Sequence, residues 1–107
     1  SRRTGYLYHR RVYELHPISK KAVRNLAFTP AAFNEYNEWF ENNMQIVHRI
    51  KVLVRDIDRD PFKGIGKPEP LKANWAGYWS RRIDQEHRLV YKVTNEQILI
   101  VKCKGHY

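Results

Sequence analysis

One cysteine in 107 residues leaves no internal disulfide and no thiolate metal cluster, so Cys103 reads as a small core residue in a strand. No group of His, Cys or acidic residues stands at metal-ligand spacing, and neither metal nor cofactor is expected. No apolar run approaches the length of a membrane span, and no apolar segment follows the basic N-terminus as it would in a secretion signal. A reducing, cytoplasmic setting with no membrane partner is the expectation. Acidic residues are scarce, eleven against twenty Lys and Arg, which leaves a net charge of +9. Glycine and proline number only five each, and three of the prolines and two of the glycines crowd into residues 60–72. What remains is enough for one domain, in which roughly 65% of the unfolded surface is buried on folding.

The charge is unevenly spread. Residues 1–25 carry seven basic side chains against Glu14 alone, residues 31–60 carry four against six acids, and residues 63–107 carry nine against four. A mildly acidic middle and a basic back half suggest a surface that faces a polyanion, and nucleic acid is the first candidate. Residues 1–22 match neither a helix nor a strand period, and Ser1 stands where Met would open a natural chain. They read as a basic appendage, a tag or extension, or else as an added edge strand. The body begins near residue 23.

Leu26 and Phe28 alternate with polar or small residues, a short strand. Thr29-Pro30 then has the form of a helix cap followed by proline at the first helical position. Phe33, Tyr36 and Phe40 form a stripe at helical spacing, and Asn42-Asn43 ends the helix. A second stripe, Ile46, Ile50, Leu53 and Ile57, predicts another helix, so the two should form a hairpin. Residues 60–72, DPFKGIGKPEPLK, are a stiff loop, because each proline fixes its own φ and biases its predecessor away from helix. Strands are predicted over 78–83, 88–93 and 97–103, joined by polar turns as an antiparallel meander. The fold class is α+β in the order β-α-α-β-β-β, an antiparallel sheet with one face covered by the helical hairpin and the other open.

That open face is where chemistry is expected. If Leu89 and Tyr91 share one face of their strand, Arg88, Val90 and Lys92 share the other. Glu69, between two prolines with Lys67 and Lys72 nearby, is a carboxylate on a rigid, cation-flanked loop. Arg81 and Arg82 lie on the preceding strand, and the chain ends in His106-Tyr107. Cleaving RNA through its own 2′-OH needs a base for that hydroxyl, positive charge on the phosphorane and an acid for the 5′-oxygen. A guanidinium fork suits phosphate, and aromatic rings stack on bases. Each residue alone has a plainer explanation: a loop ion pair of Glu69 with Lys72, a strand arginine, a frayed terminus. His87 should point away from Arg88 and be structural, and Trp39 and Trp75 are candidate interface aromatics.

The runs GIGKPEPLK at 64–72, GYWSRRI at 77–83 and EHRLVY at 86–91, with the terminal His106-Tyr107, closely resemble the YoeB (Txe) toxins of the RelE/ParE toxin–antitoxin superfamily. The resemblance spans about residues 24–107 and excludes 1–22. It implies a RelE-like fold over 23–107 and a toxin that cuts mRNA in the A site of the small ribosomal subunit. It also implies a YefM-like antitoxin and a homodimer. By motif, it makes Glu69 the general base, Arg88 the stabiliser of the phosphorane and His106 the general acid. Tyr107 would pack on the substrate, Lys72 would be an auxiliary cation beside Lys67, and Arg81 and Arg82 would contact ribosomal RNA. Two other readings share the fold: a gyrase-inhibiting toxin of the ParE branch, and a basic module that blocks the ribosome without cutting.

Overall fold

In the computed structural model, residues 23–107 and, before them, Ile18 are described; the expectations for 1–22 otherwise lie outside the described residues. Strand β1 (Asn25–Phe28) leads into helix α1 (Pro30–Asn42), which starts as its sequence requires. Thr29 is extended, its Oγ1 accepts the Ala32 N–H at 3.1 Å, and Pro30 follows where a missing N–H is harmless. One residue separates α1 from helix α2 (Met44–Arg59). Asn43 ends the first with its N–H on Trp39 O and caps the second with Oδ1, which accepts from Gln45 and Ile46 N–H. On α2, Ile46, Val47, Ile50, Leu53 and Ile57 are buried, each worth about 1.5–3 kcal/mol when fully withdrawn from water. No helix among the described residues is long and apolar enough to cross a membrane.

On α1 the buried residues are Ala32 and Trp39, with Tyr36 half-buried between them. Phe33 and Phe40, expected in the core, are 52% and 43% exposed. Trp39 takes the inward place because it brings the larger apolar area and its indole N–H finds a partner, the Cys103 carbonyl at 2.9 Å. Its expected role as an exposed interface aromatic is therefore overturned. The displaced rings form a contact series along the α1 rim, Phe33 and Tyr36 on Phe28, then Phe40 on Tyr36.

Beyond α2 come β2 (Glu69–Pro70), a single 3₁₀ turn (Ala73–Trp75), β3 (Trp79–Arg82), β4 (Arg88–Val93) and β5 (Gln97–Lys102). The sheet has five strands in the order β1-β5-β4-β3-β2. The α+β arrangement stands, and the sheet differs from expectation in two linked respects, a fifth strand and its mixed direction. It is mixed, with β1 parallel to β5 and the remaining pairs antiparallel. The segment taken for a loop makes an extra short pass along the edge at β2, and with that pass β5 arrives running the same way as β1. Prolines 68 and 70 are tolerated because β2 is an edge strand.

Candidate active site

Loop 60–66 is fixed from below by Arg81. Its guanidinium is fully buried and donates to the Asp56 carboxylate, the Tyr91 hydroxyl and the carbonyls of Asp60, Lys63 and Ile65. The Tyr91 hydroxyl in turn donates to Pro61 O at 2.7 Å. Arg81 was expected to touch ribosomal RNA. Having no exposed surface, it cannot; it ties the loop to the sheet and to α2. Gly64 (φ +138°) lies so close to this knot that an added Cβ would collide with the Asp56 carboxylate. Burial works against ionisation of Asp56, yet hydrogen bonds from Arg59, the Ile65 N–H and Arg81 outweigh it and lower its pKa to about 2.

From this anchor the chain passes to the edge strand. Arg82 N–H donates to Gly66 O at 2.7 Å, and Leu71 N–H to Tyr78 O at 2.9 Å. Lys67 (φ +54°) and Ala73 (φ +56°) bracket the segment in left-handed backbone, which costs a non-glycine residue about 1–2 kcal/mol. Such strain persists only where surrounding structure dictates it. Between them Glu69 stands opposite Ser80, Ser80 opposite Val90, and Val90 opposite Lys102. Residues directly opposite in antiparallel strands share a face, so these four form one row. Arg82 and Arg88 are paired two residues along the same face. The face is the one turned from the helices, since Leu89 and Tyr91, the alternates of Arg88 and Val90, belong to the core.

Arg88 is held at its root by the β3–β4 turn. Asp84 Oδ1 accepts from Glu86 and His87 N–H, at 2.9 and 2.7 Å. Burial opposes this charge, but those N–H groups hold the Asp84 carboxyl below its ordinary pKa. Arg88 Nη1 donates to Asp84 O, Gln85 O and His87 O; among the described residues Nη2 and Nε have no partner. One edge of the guanidinium thus makes no hydrogen bond to the described residues. Tyr107 reaches over the row, with its hydroxyl 3.5 Å from Ser80 Oγ. Ser80 and Val90 are buried although they face away from the helices, and the Tyr107 hydroxyl lies against Ser80. His106 is exposed, its ring centroid 6.3 Å from that of Tyr107.

The structure therefore brings Glu69, Arg88 and Tyr107 to one face and leaves the His106 ring exposed beside Tyr107. Lys67, Lys72 and Arg82 are exposed. Among the described residues no ion pair engages Glu69, so the alternative of a Glu69–Lys72 pair is not realised. Ser80 and Lys102 were not singled out from the sequence; strand register identifies them once Glu69 is itself on a strand. An apolar groove lined by Leu26, Phe28, Tyr36, Ile50 and Val54 lies at the β1 edge, away from this face. Among the described residues no group of three or more His, Cys, Asp or Glu side chains could hold a metal ion.

Comparison with known proteins now adds the lineage. The chain matches the family described as "YoeB-like toxin of bacterial type II toxin-antitoxin system" over residues 28–107. Toxin YoeB of Streptomyces coelicolor is 52% identical over 82 residues, which cover 77% of this chain and 98% of that one. Toxin YoeB of Escherichia coli K12 is 49% identical over the same shares. A YoeB dimer from Staphylococcus aureus superposes with a TM-score of 0.75 at 48% identity, covering 80% of this chain and all of that one. The motifs, the fold and these relatives agree: the chain belongs to the YoeB-like toxins of bacterial type II toxin–antitoxin systems.

Proposed function

We propose that this chain is an endoribonuclease that cuts messenger RNA in the A site of the small ribosomal subunit and so inhibits translation. The observation that carries the reading is the shared face of Glu69, Arg88 and Tyr107, flanked by Lys67, Lys72 and Arg82. In the reaction the Glu69 carboxylate takes the 2′-OH proton. The 2′-oxygen attacks the adjacent phosphorus, and Arg88 neutralises the phosphorane. The bond to the 5′-oxygen breaks as His106 donates its proton to the leaving group, giving a 2′,3′-cyclic phosphate. Tyr107 packs on the substrate, and Lys72 adds positive charge near the phosphate. The chemistry calls for proton transfer and charge stabilisation and needs no metal. The site is an open face, so placing the RNA in line falls to the ribosome.

Toe-printing on purified ribosomes is the test, and a new 5′ end at the A-site codon is the expected result. Glu69→Gln and Arg88→Ala should each lower single-turnover cleavage by about 10²–10⁴-fold. His106→Gln should cost less and alter the pH–rate profile. Absence of a new 5′ end, or wild-type rates for both Glu69→Gln and Arg88→Ala, ends the reading. Inhibition of DNA supercoiling without RNA cleavage would move the protein to the ParE branch. Two solved relatives from S. aureus are YoeB–YefM complexes, and a YefM-like antitoxin should abolish cleavage in the same assay. The cytoplasm, where ribosomes and antitoxin meet, is the proposed location.

A further inference from the structure

Residues 103–107 leave β5 on a path set by other parts of the fold. The Cys103 N–H donates to Glu35 Oε1 at 2.8 Å, and its carbonyl accepts from the Trp39 indole at 2.9 Å. Lys104 pairs with Glu38 at 2.9 Å, so three side chains of α1 grip two successive residues. Gly105 is then held from both sides by adjacent residues of another element. Its N–H donates to His87 Nδ1 at 2.8 Å, and its carbonyl accepts the Arg88 N–H at 3.0 Å. Its φ of +76° lies in the region that glycine tolerates best. His106 follows at once, and Tyr107 turns back over the face toward Ser80.

We infer that His87 is a positioning residue: by anchoring the Gly105 amide it aims His106 and Tyr107 at the face that carries Glu69 and Arg88. The catalytic consequence rests on the ribonuclease reading above, whereas the anchor itself does not. The imidazole is suited to this because its two nitrogens are used differently. Nδ1 accepts a backbone N–H and so carries no proton, which fixes the tautomer. Nε2 faces the exposed Glu86 carboxylate at 3.7 Å. The ring meets Trp39 edge to face at 4.8 Å, so the grip of α1 on Cys103 and the grip of His87 on Gly105 form one continuous clamp. A histidine that merely filled the core would need no acceptor one residue from the terminal His-Tyr pair. Without that acceptor, Gly105 keeps the Arg88 bond to its carbonyl and loses the one to its N–H, so the grip of α1 stops at Lys104 and the next contact ahead is the 3.5 Å approach of Tyr107 to Ser80.

Three variants separate anchoring from packing. His87→Phe keeps a ring against Trp39 and removes the acceptor. His87→Asn sacrifices the ring and places an amide oxygen near the position of Nδ1, whereas His87→Gln places it near Nε2. Single-turnover cleavage of ribosome-bound mRNA at saturating protein should fall about ten- to a hundredfold for His87→Phe and His87→Gln, with ribosome affinity unchanged. His87→Asn should recover most of that loss. In parallel, the Gly105 amide should exchange with solvent faster in His87→Phe and His87→Gln than in the wild type or His87→Asn. Wild-type cleavage by His87→Phe, equal damage by Asn and Gln, or an unchanged Gly105 exchange rate in His87→Phe each overturns the inference. If the unaltered chain cuts nothing, the ribonuclease reading fails, and the exchange measurement still decides whether the anchor exists. Should His87→Phe melt below the assay temperature, His87→Gln against His87→Asn carries the comparison alone.

Discussion

The Cys103 thiol is fully enclosed, with Sγ 3.6 Å from Ala32 O, and burial, reinforced by the nearby Glu35 carboxylate, pushes its pKa up to about 12. A thiol so placed is almost never ionised near neutrality, and it is the thiolate that reacts. Iodoacetamide at pH 8 should therefore alkylate the native protein at least about 100-fold more slowly than the urea-unfolded chain. Equal rates would mean that the strand end opens far more often than its contacts imply. Reading this residue as core needed only its solitude in the sequence. The neighbouring Arg81 and Arg82 were harder, being identical in type and adjacent. Period two puts them on opposite faces of β3, but which one is inside depends on Asp56 and Tyr91, contributed by α2 and β4. The inner arginine is a buried ion with five acceptors, and the outer one is exposed.

Among the elements, the loop from Asp60 to Gly66 depends most on charge, because Asp56 and Arg81 hold it. The folded protein lowers the Asp56 pKa from 3.8 to about 2, so the ionised form favours folding. Its contribution is complete above the unfolded value and drains away as pH falls from about 4 through about 2. Denaturant midpoints should drop over that window in the wild type and drop less in Asp56→Asn, which would start from a lower stability at neutral pH. The same slope in both proteins would sink this account. The helices were legible because caps and stripes are local: Thr29-Pro30, Asn43 and the Ile46–Ile57 face all act where they were placed. The aromatic stripe on α1 misled for a reason of geometry. Phe33 and Phe40 share helical spacing with Tyr36, but the sheet lies nearer the Ala32–Trp39 line, where a carbonyl of β5's continuation awaits the indole. Strand β2 was read as a stiff extended ribbon, which it is; a single glutamate between two prolines carries no signal that it pairs.

For the molecule as a whole, the exposed large apolar residues include Leu26, Phe33, Phe40 and Met44 around β1 and α1, on a chain otherwise well charged. A solved relative is a dimer, and we propose that this chain self-associates as well. Light scattering at micromolar concentration should give twice the 12.9 kDa chain mass; a monomer up to ~100 μM, far above the range of stable protein interfaces, would refute it. The face on which Arg88 stands was legible from strand alternation; Glu69, read as part of a loop, joins that face through its pairing with Ser80, and of the terminal pair it is Tyr107, not His106, that contacts Ser80. The clamp behind Tyr107 was not legible, since it joins α1, the β3–β4 turn and the last residues, and no local pattern in the sequence links them. The parallel seam between β1 and β5 has a kinetic consequence. Among the described residues, β1 finds its neighbour only after four further strands have been made, so the pairing joins residues some seventy positions apart. Contacts of that range slow folding, because a long loop must close before any stabilisation returns. During synthesis the helices emerge long before the surface they cover, and a newborn toxin spends its first moments with that apolar stripe undocked, before the sheet face that carries Glu69 and Arg88 exists.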